Sequence, residues 1–407
     1  MSTLVITVVG LLVVAILVAI VAHRLRLPYT VGLVIAGIAL AVSPLRVNIA
    51  LSSTIIYDLI LPPLLFEAAI NLRWKVLRKD ALPLLTLALP GTIISALVVA
   101  AGTVWLLHWP LKSALLFGVL IAATDPVSII SMFKDNGVKG RLKLLVEGES
   151  LLNDAVAAVL FSLALGWAER SSAAPITSGQ IGHSFALIVG GGIFFGVICA
   201  VGAIILSGRT ADYLVESTLT LVVAYGSFVL AQRLGLSGVL ATVSAGLVMG
   251  NLGILADEKV SRMTRRGREF TLALWSFIAF IANSLVFLLI GLAVAEIPFV
   301  TLGFGTLAVV VLLVLASRAL SVYPLCAIFA RSSLCIKMWH QHVLWWGGLR
   351  GALGLALALS LAPTIPMRDQ IVVATFGGVV LSIIVQGLTM PLLLRVFSSK
   401  EQDLSPG

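Results

Sequence analysis

Residues 122–130 read AATDPVSII and lie inside an otherwise apolar stretch, 112–133. Pro126 has no N–H to donate, and its ring clashes with the preceding turn. It also pushes Asp125 towards extended backbone. An acidic residue beside a proline here predicts a helix that breaks. A break frees carbonyls and leaves half-helix ends that carry partial charge. A plain proline kink is the alternative, and the adjacent Asp125 argues against it.

The rest of the chain sets the class. Of 407 residues, 60% are hydrophobic and only 11% charged, with a mean hydropathy of +1.12. Soluble domains are about a quarter charged, so too few polar side chains remain to cover a water-facing surface. A soluble enzyme, a secreted disulfide scaffold and a disordered chain are excluded. Cys199, Cys326 and Cys335 are odd in number and form no CxxC or Cys/His cluster. Neither a disulfide framework nor a zinc site is indicated, and no cofactor is expected. The net charge of +9 is spread as membrane topology is, so no nucleic-acid partner is expected.

A bilayer-crossing helix takes about 20 mostly apolar residues. Thirteen such stretches are predicted, near 4–22, 28–42, 53–70, 81–107, 112–133, 142–166, 182–206, 213–232, 236–250, 270–294, 302–328, 341–361 and 369–395. Of the 27 Lys and Arg residues, twenty follow odd-numbered stretches and five follow even-numbered ones, while Arg318 and Arg350 lie inside stretches. The excess marks the odd loops as cytoplasmic, with the N-terminus outside and the C-terminus inside. The first stretch has no basic leader and no small-residue cleavage site, so it reads as a retained helix. The segment 171–181 reads as a plain Ser/Ala/Pro/Gly-rich connector. ADEKVSRMTRRGRE at 256–269 reads as an ordinary basic loop, with a surface helix near anionic lipid as the alternative.

Ionisable groups at bilayer depth are costly and mark function by default. Asp58 is near the outer end of its stretch, reaches water and is read as structural. Glu67, Asp125, Glu149 and Asp154 fall between roughly 8 and 18 Å from the inner ends of three stretches. Scattered packing ion pairs are the alternative to a common site. In EGESLLNDAVAAVLF at 147–161, Glu149 shares a helix face with Asn153, and Ser150 with Asp154. Ser150 and Asp154 offer oxygens suited to a small hard cation. Glu149 needs a counter-charge, for which Arg318 and Arg350 are the two candidates. Pro62 and Pro63 distort the helix a turn before Glu67, which either joins the site or snorkels to the inner surface. WWGGLRGALGL at 345–355 packs four glycines around Arg350 and predicts a second break, about 225 residues after the first.

A broken helix in each half points to an inverted-repeat secondary transporter with its site near the midplane. The chain is then one membrane domain, with repeat one about 4–166, a linker helix about 182–206, repeat two about 213–395 and a short cytoplasmic tail 396–407.

FEAAINL at 66–72, TDPVS at 124–128, EGESLLNDA at 147–155 and GGLRGALGLALAL at 347–359 together resemble the monovalent cation:proton antiporters, in the sodium/proton exchanger (NhaP/NHE-like) branch. Their order and spacing match over almost the whole chain. The resemblance implies an all-α polytopic NhaA-like fold, with two broken helices crossing in a core domain and a second domain forming a homodimer. It implies exchange of Na+ or Li+ for H+ by alternating access in a bacterial inner membrane. Asp154 would be the carboxylate for which cation and proton compete. Asn153, Ser150, Thr124, Asp125 and Glu67 would shape the site, with Asp154, Ser150, Thr124 and Glu67 as the Na+ ligands. Glu149 would pair with Arg318, and Arg350 would line the inner funnel. Asn153–Asp154, in place of two aspartates, looks like the electroneutral branch. The long regulatory tail of animal exchangers has no counterpart in the dozen residues after the last stretch.

The alternatives are a K+/H+ antiporter of the same family and a sodium-coupled solute symporter of the same fold. An intramembrane protease is a weaker rival. Gly235-Leu236-Ser237-Gly238 matches a GxSG pattern, but a nucleophilic serine needs a base in reach. All five histidines fall near stretch ends, so Ser237 reads as helix packing and no enzyme activity is expected.

Overall fold

The computed structural model describes residues 2–25, 27–43, 52–135, 137–169, 178–256 and 261–403. Arg26, Arg46, Arg170, Lys259, connector residues 171–177 and tail residues 404–407 lie outside them. The described residues are helical almost throughout. In order they form α1 (Ser2–Leu25), α2 (Tyr29–Val42), α3 (Leu61–Asn71), α4 (Trp74–Leu77), α5 (Ala81–Leu107), α6 (Leu111–Ala122), α7 (Val127–Asp135), α8 (Arg141–Glu169) and α9 (Ser178–Ser207). Then come α10 (Tyr213–Arg233), α11 (Gly238–Val248), α12 (Arg265–Glu296), α13 (Phe299–Leu302), α14 (Phe304–Ile328), α15 (Met338–Trp346), α16 (Ala352–Leu359), α17 (Arg368–Leu381) and α18 (Gly387–Asp403). Wider π turns at Ile55–Ile60, Met249–Ile254 and Ser382–Gln386 run into α3, out of α11 and between α17 and α18.

Among the described residues, nine helical stretches are long and apolar enough to cross a bilayer. The four predicted stretches that fall short are 28–42, 53–70, 236–250 and 341–361. Each is helical, but α2 has only 14 residues, α3 and α11 are interrupted by π turns, and the last is cut into α15 and α16. These short pieces pack inside the bundle. Where α2 crosses α12, the backbones touch at Gly37 and Gly291: a Cβ on Gly37 would lie 2.9 Å from the Gly291 Cα. Only a residue without a side chain allows that approach.

Two apolar clusters divide the interior. The smaller joins α3, α9, α10, α11 and α12, with Phe66 and Trp275 rings 4.6 Å apart. The larger holds α5 to α8 and α14 to α17, and the two helix breaks lie within it. Ser237 caps the start of α11 by accepting from the Leu240 N–H, a structural use of the GxSG serine.

Candidate functional site

The first break runs from Ala123 to Pro126. Ala123 is extended (φ −57°, ψ 138°), so α6 stops at Ala122 and α7 starts at Val127. Asp125 Oδ1 accepts from the Val127 N–H at 2.9 Å and so caps α7. The second break, 347–351, separates α15 from α16. The two breaks touch: the Asp125 N–H donates to the Leu349 carbonyl at 2.8 Å. The glycines make this possible. A Cβ on Gly351 would sit 2.2 Å from Asp125 Cβ, and one on Gly348 would sit 2.7 Å from Arg318 Nε.

Each break leaves a helix C-terminus with orphan carbonyls and partial negative charge. An arginine covers each. Arg350 Nη1 donates to Ala122 O at 2.8 Å and Ala123 O at 3.3 Å, at the end of α6. Arg318 donates through Nε and Nη2 to Leu344 O, near the end of α15, at 3.3 and 3.2 Å. Arg350, expected at the inner funnel, is found here at the contact between the two breaks. Arg350 is 2% exposed, because the carbonyls of the first break draw it into the crossing.

Arg318 also pairs with Glu149. Its Nη1 and Nη2 donate to Oε1 and Oε2, both at 2.7 Å, and both residues are buried. The bidentate geometry balances the Glu149 charge locally.

Within the next turn of the same helix stands the group that α8 presents to the first break. Asn153 Nδ2 donates to Ala122 O at 3.1 Å and to Thr124 Oγ1 at 3.0 Å. Thr124 Oγ1 is 3.2 Å from Ser150 Oγ. The Asp154 carboxyl faces the Thr124 N–H, with the charges of Asp125, Glu149 and Arg350 around it. Its Oδ1 is buried without a hydrogen-bond partner. Thr124, Asp125, Ser150, Asn153 and Asp154 are thus gathered at the crossing. Glu67 is half-buried on α3, where Asn71 Nδ2 donates to its carbonyl O at 2.8 Å and its Oε1 at 3.0 Å. Among the described residues, no three His, Cys, Asp or Glu side chains gather closely enough to hold a metal ion.

Sequence reasoning missed Thr92. It lies on α5, two residues after Pro90, and its hydroxyl donates to Asn153 Oδ1 at 2.6 Å. Its one signal was a hydroxyl beside a Pro-Gly pair in an apolar helix.

The chain matches the family model "Sodium/hydrogen exchanger, transmembrane" over residues 11–396. It is 41% identical over 374 residues to the Na(+)/H(+) antiporter ApNhaP of Aphanothece halophytica, covering 91% of this chain and 70% of that one. It is 32% identical to the Na(+)/H(+) antiporter NhaH of Halobacillus dabanensis, covering 95% and 96% of the two chains. The solved sodium proton antiporter MjNhaP1 of Methanocaldococcus jannaschii superposes with a TM-score of 0.78 at 20% identity, over 100% of both chains. That likeness speaks for the fold. With its apolar helices, its two helix breaks in contact and a family match spanning nearly its whole length, the chain is an integral multi-pass membrane protein that belongs to the sodium/hydrogen exchanger family.

Proposed function

We propose that the chain is a secondary active antiporter that exchanges Na+ or Li+ for H+ by alternating access, with Asp154 as the carboxylate for which the two compete. The observation that carries this is the buried, unpartnered Asp154 Oδ1 beside the crossed breaks. A carboxyl out of water disfavours its charged form unless a cation or a proton neutralises it. Glu149 already has Arg318, and Asp125 caps α7, so Asp154 is the group with capacity left. Thr124 and Ser150 stand beside it with hydroxyl oxygens that replace water around a small cation. Glu67 belongs to the same proposal as a further ligand, reached when α3 moves relative to α8. Exchange is one for one, because a single carboxyl changes its load. The relatives named as Na(+)/H(+) antiporters support the choice of ions.

The reading includes thirteen crossings as inverted repeats, the N-terminus outside and the C-terminus inside. Contacts between loops support that alternation. Arg141 binds Asp80 at 2.7 Å and donates to Leu334 O and Cys335 O, which joins loops that follow odd stretches. Ser113 donates to Pro366 O, and Lys112 to Ala168 O, which joins loops that follow even ones. A cavity of about 410 Å³ among Ser53, Asp58, Glu169 and Ser360 at that second end supports reading it as the outer side. The repeats rock about the crossing. The protein works as a homodimer in lipid, in a bacterial inner membrane.

The test is proton flux in proteoliposomes on adding NaCl, LiCl, KCl or choline chloride. Sodium- and lithium-driven proton movement is expected from wild type and not from Asp154→Asn, which keeps size and hydrogen bonding but cannot titrate. Exchange above background in Asp154→Asn removes it from the central role. Exchange driven by KCl alone turns the reading to potassium.

A further inference from the structure

The Asn153 amide is buried, and its oxygen and both N–H groups have partners. An amide has one acceptor oxygen and two N–H donors. The orientation is settled by its neighbours, not by the amide itself. Ala122 O is a carbonyl and can only accept, so Nδ2 must face it. The second N–H then reaches Thr124 Oγ1. Oδ1 is left facing α5, where the one group that meets it is the Thr92 hydroxyl at 2.6 Å.

Thr92 Oγ1 also lies within reach of the carbonyl of Ala88 on its own helix. A hydroxyl has one hydrogen, so it serves one of the two at a time. Giving it to Ala88 O would leave Asn153 Oδ1 facing an oxygen lone pair with no donor between, in a site 1% exposed. Ala88 O does not need it, since the α5 backbone already supplies a donor at that register. The hydroxyl therefore donates across the helix pair. A directed chain results: Thr92 to Asn153, and Asn153 to Ala122 O and Thr124 Oγ1, which in turn meets Ser150 Oγ.

We propose that Thr92 is a positioning residue for the ion site: by occupying Asn153 Oδ1 it holds the amide with both N–H groups on the first break, and so fixes Thr124 and Ser150 as hydroxyl oxygens beside Asp154. This rests on the exchange reading above. Two consequences follow from the chain. Asn153 Oδ1 is turned towards α5 and the Thr92 hydroxyl, so the amide meets the first break through its two N–H groups. Thr124 Oγ1 already accepts from Asn153, so the lone pair it keeps for a cation points where that hydrogen bond directs it.

Removing the Thr92 donor leaves Oδ1 unsatisfied in a dry site, which is costly. The amide is then free to turn, and the α6 end loses its hold on α8. Thr92→Val keeps the shape and removes the donor, whereas Thr92→Ser keeps the donor and removes a methyl. Sodium affinity is read from the sodium dependence of thermal unfolding of the detergent-solubilised protein, and again from half-maximal exchange in proteoliposomes. Thr92→Val is expected to weaken sodium about tenfold, the factor carried by one buried hydrogen bond. Thr92→Ser should stay within about twofold of wild type and unfold near the wild-type temperature without sodium, whereas Thr92→Val should unfold somewhat below it. Amide hydrogen exchange at 120–127 should rise in Thr92→Val alone.

Unchanged sodium affinity in Thr92→Val overturns the proposal. So does equal loss in both variants, because packing and not the hydroxyl would then be at work. If wild type itself shows no sodium response, the exchange reading fails. The hydrogen-exchange comparison still decides Thr92 in that case: faster exchange at the break in Thr92→Val alone upholds the hold on Asn153, and equal rates overturn it.

Discussion

Arg318 and Glu149, 169 residues apart, meet through two hydrogen bonds of 2.7 Å, and Arg318 reaches on to the Leu344 carbonyl. One guanidinium thereby balances a buried carboxylate and covers the C-terminal end of a broken helix. It ties α8 and α14, which come from different halves of the chain, to the second break.

Breaking a buried pair by removing one partner costs about 3–5 kcal/mol, since the other charge is left uncompensated. Glu149→Gln and Arg318→Gln should each lower the melting temperature in detergent. The double variant should recover part of the loss. Strictly additive losses would show that the two side chains do not act as partners.

The glycines of the second break give a separate prediction. A methyl on Gly351 would meet Asp125 Cβ at 2.2 Å, whereas one on Gly190, in α9, meets nothing within 4 Å. Overpacking costs about 1–3 kcal/mol, and alanine gains roughly 0.8–1 kcal/mol over glycine in a helix interior. Gly351→Ala should melt below wild type and exchange more slowly, while Gly190→Ala should melt at or above it. Wild-type melting and transport in Gly351→Ala would mean that the two breaks do not press together at this point.

These contacts mark what was legible beforehand. Pro126 and the glycines around Arg350 announce breaks through backbone chemistry alone, and both breaks are present. Spacing left Glu149 between two arginines, because helix periodicity says which face a residue takes but not which distant helix meets it. The partners of Arg350 were hidden for a related reason: the carbonyls that it meets belong to a break 227 residues away. Thr92 was invisible because a threonine in an apolar helix normally bonds its own backbone. Thr86 and Thr103 do so, donating to Leu82 O and Val99 O at 2.8 and 3.0 Å. The short helices have the same origin. A piece buried among other helices need not carry a full bilayer length of apolar residues, so hydropathy marks it weakly.

Topology is open to a chemical test. Cys335 is exposed, in the loop that Arg141 clasps, whereas Cys326 is buried and Cys199 half-buried. A membrane-impermeant maleimide should label Cys335 in inside-out vesicles and not in intact cells, with Cys199 and Cys326 replaced by alanine. Labelling in intact cells would overturn the orientation and the thirteen-crossing count together.

The last prediction concerns charge. Glu149 is neutralised by Arg318, and Asn153 is neutral with both amide N–H groups held on the first break. Asp125 spends Oδ1 on the Val127 N–H and is wedged against Gly351. In the proposed function Asp154 is the carboxyl that trades a proton for a cation, so each cycle would carry one positive charge each way. A net translocated charge is worth about 2.3 kcal/mol per 100 mV, which would shift an equilibrium sodium ratio by a large factor. With one-for-one exchange that shift is absent. In proteoliposomes with a fixed pH gradient, the sodium distribution should be the same with and without a potassium–valinomycin potential. A distribution that follows the voltage would mean that a second carboxyl titrates in the cycle. Asp125→Asn and Glu67→Gln would then identify it, as the variant in which the voltage dependence disappears.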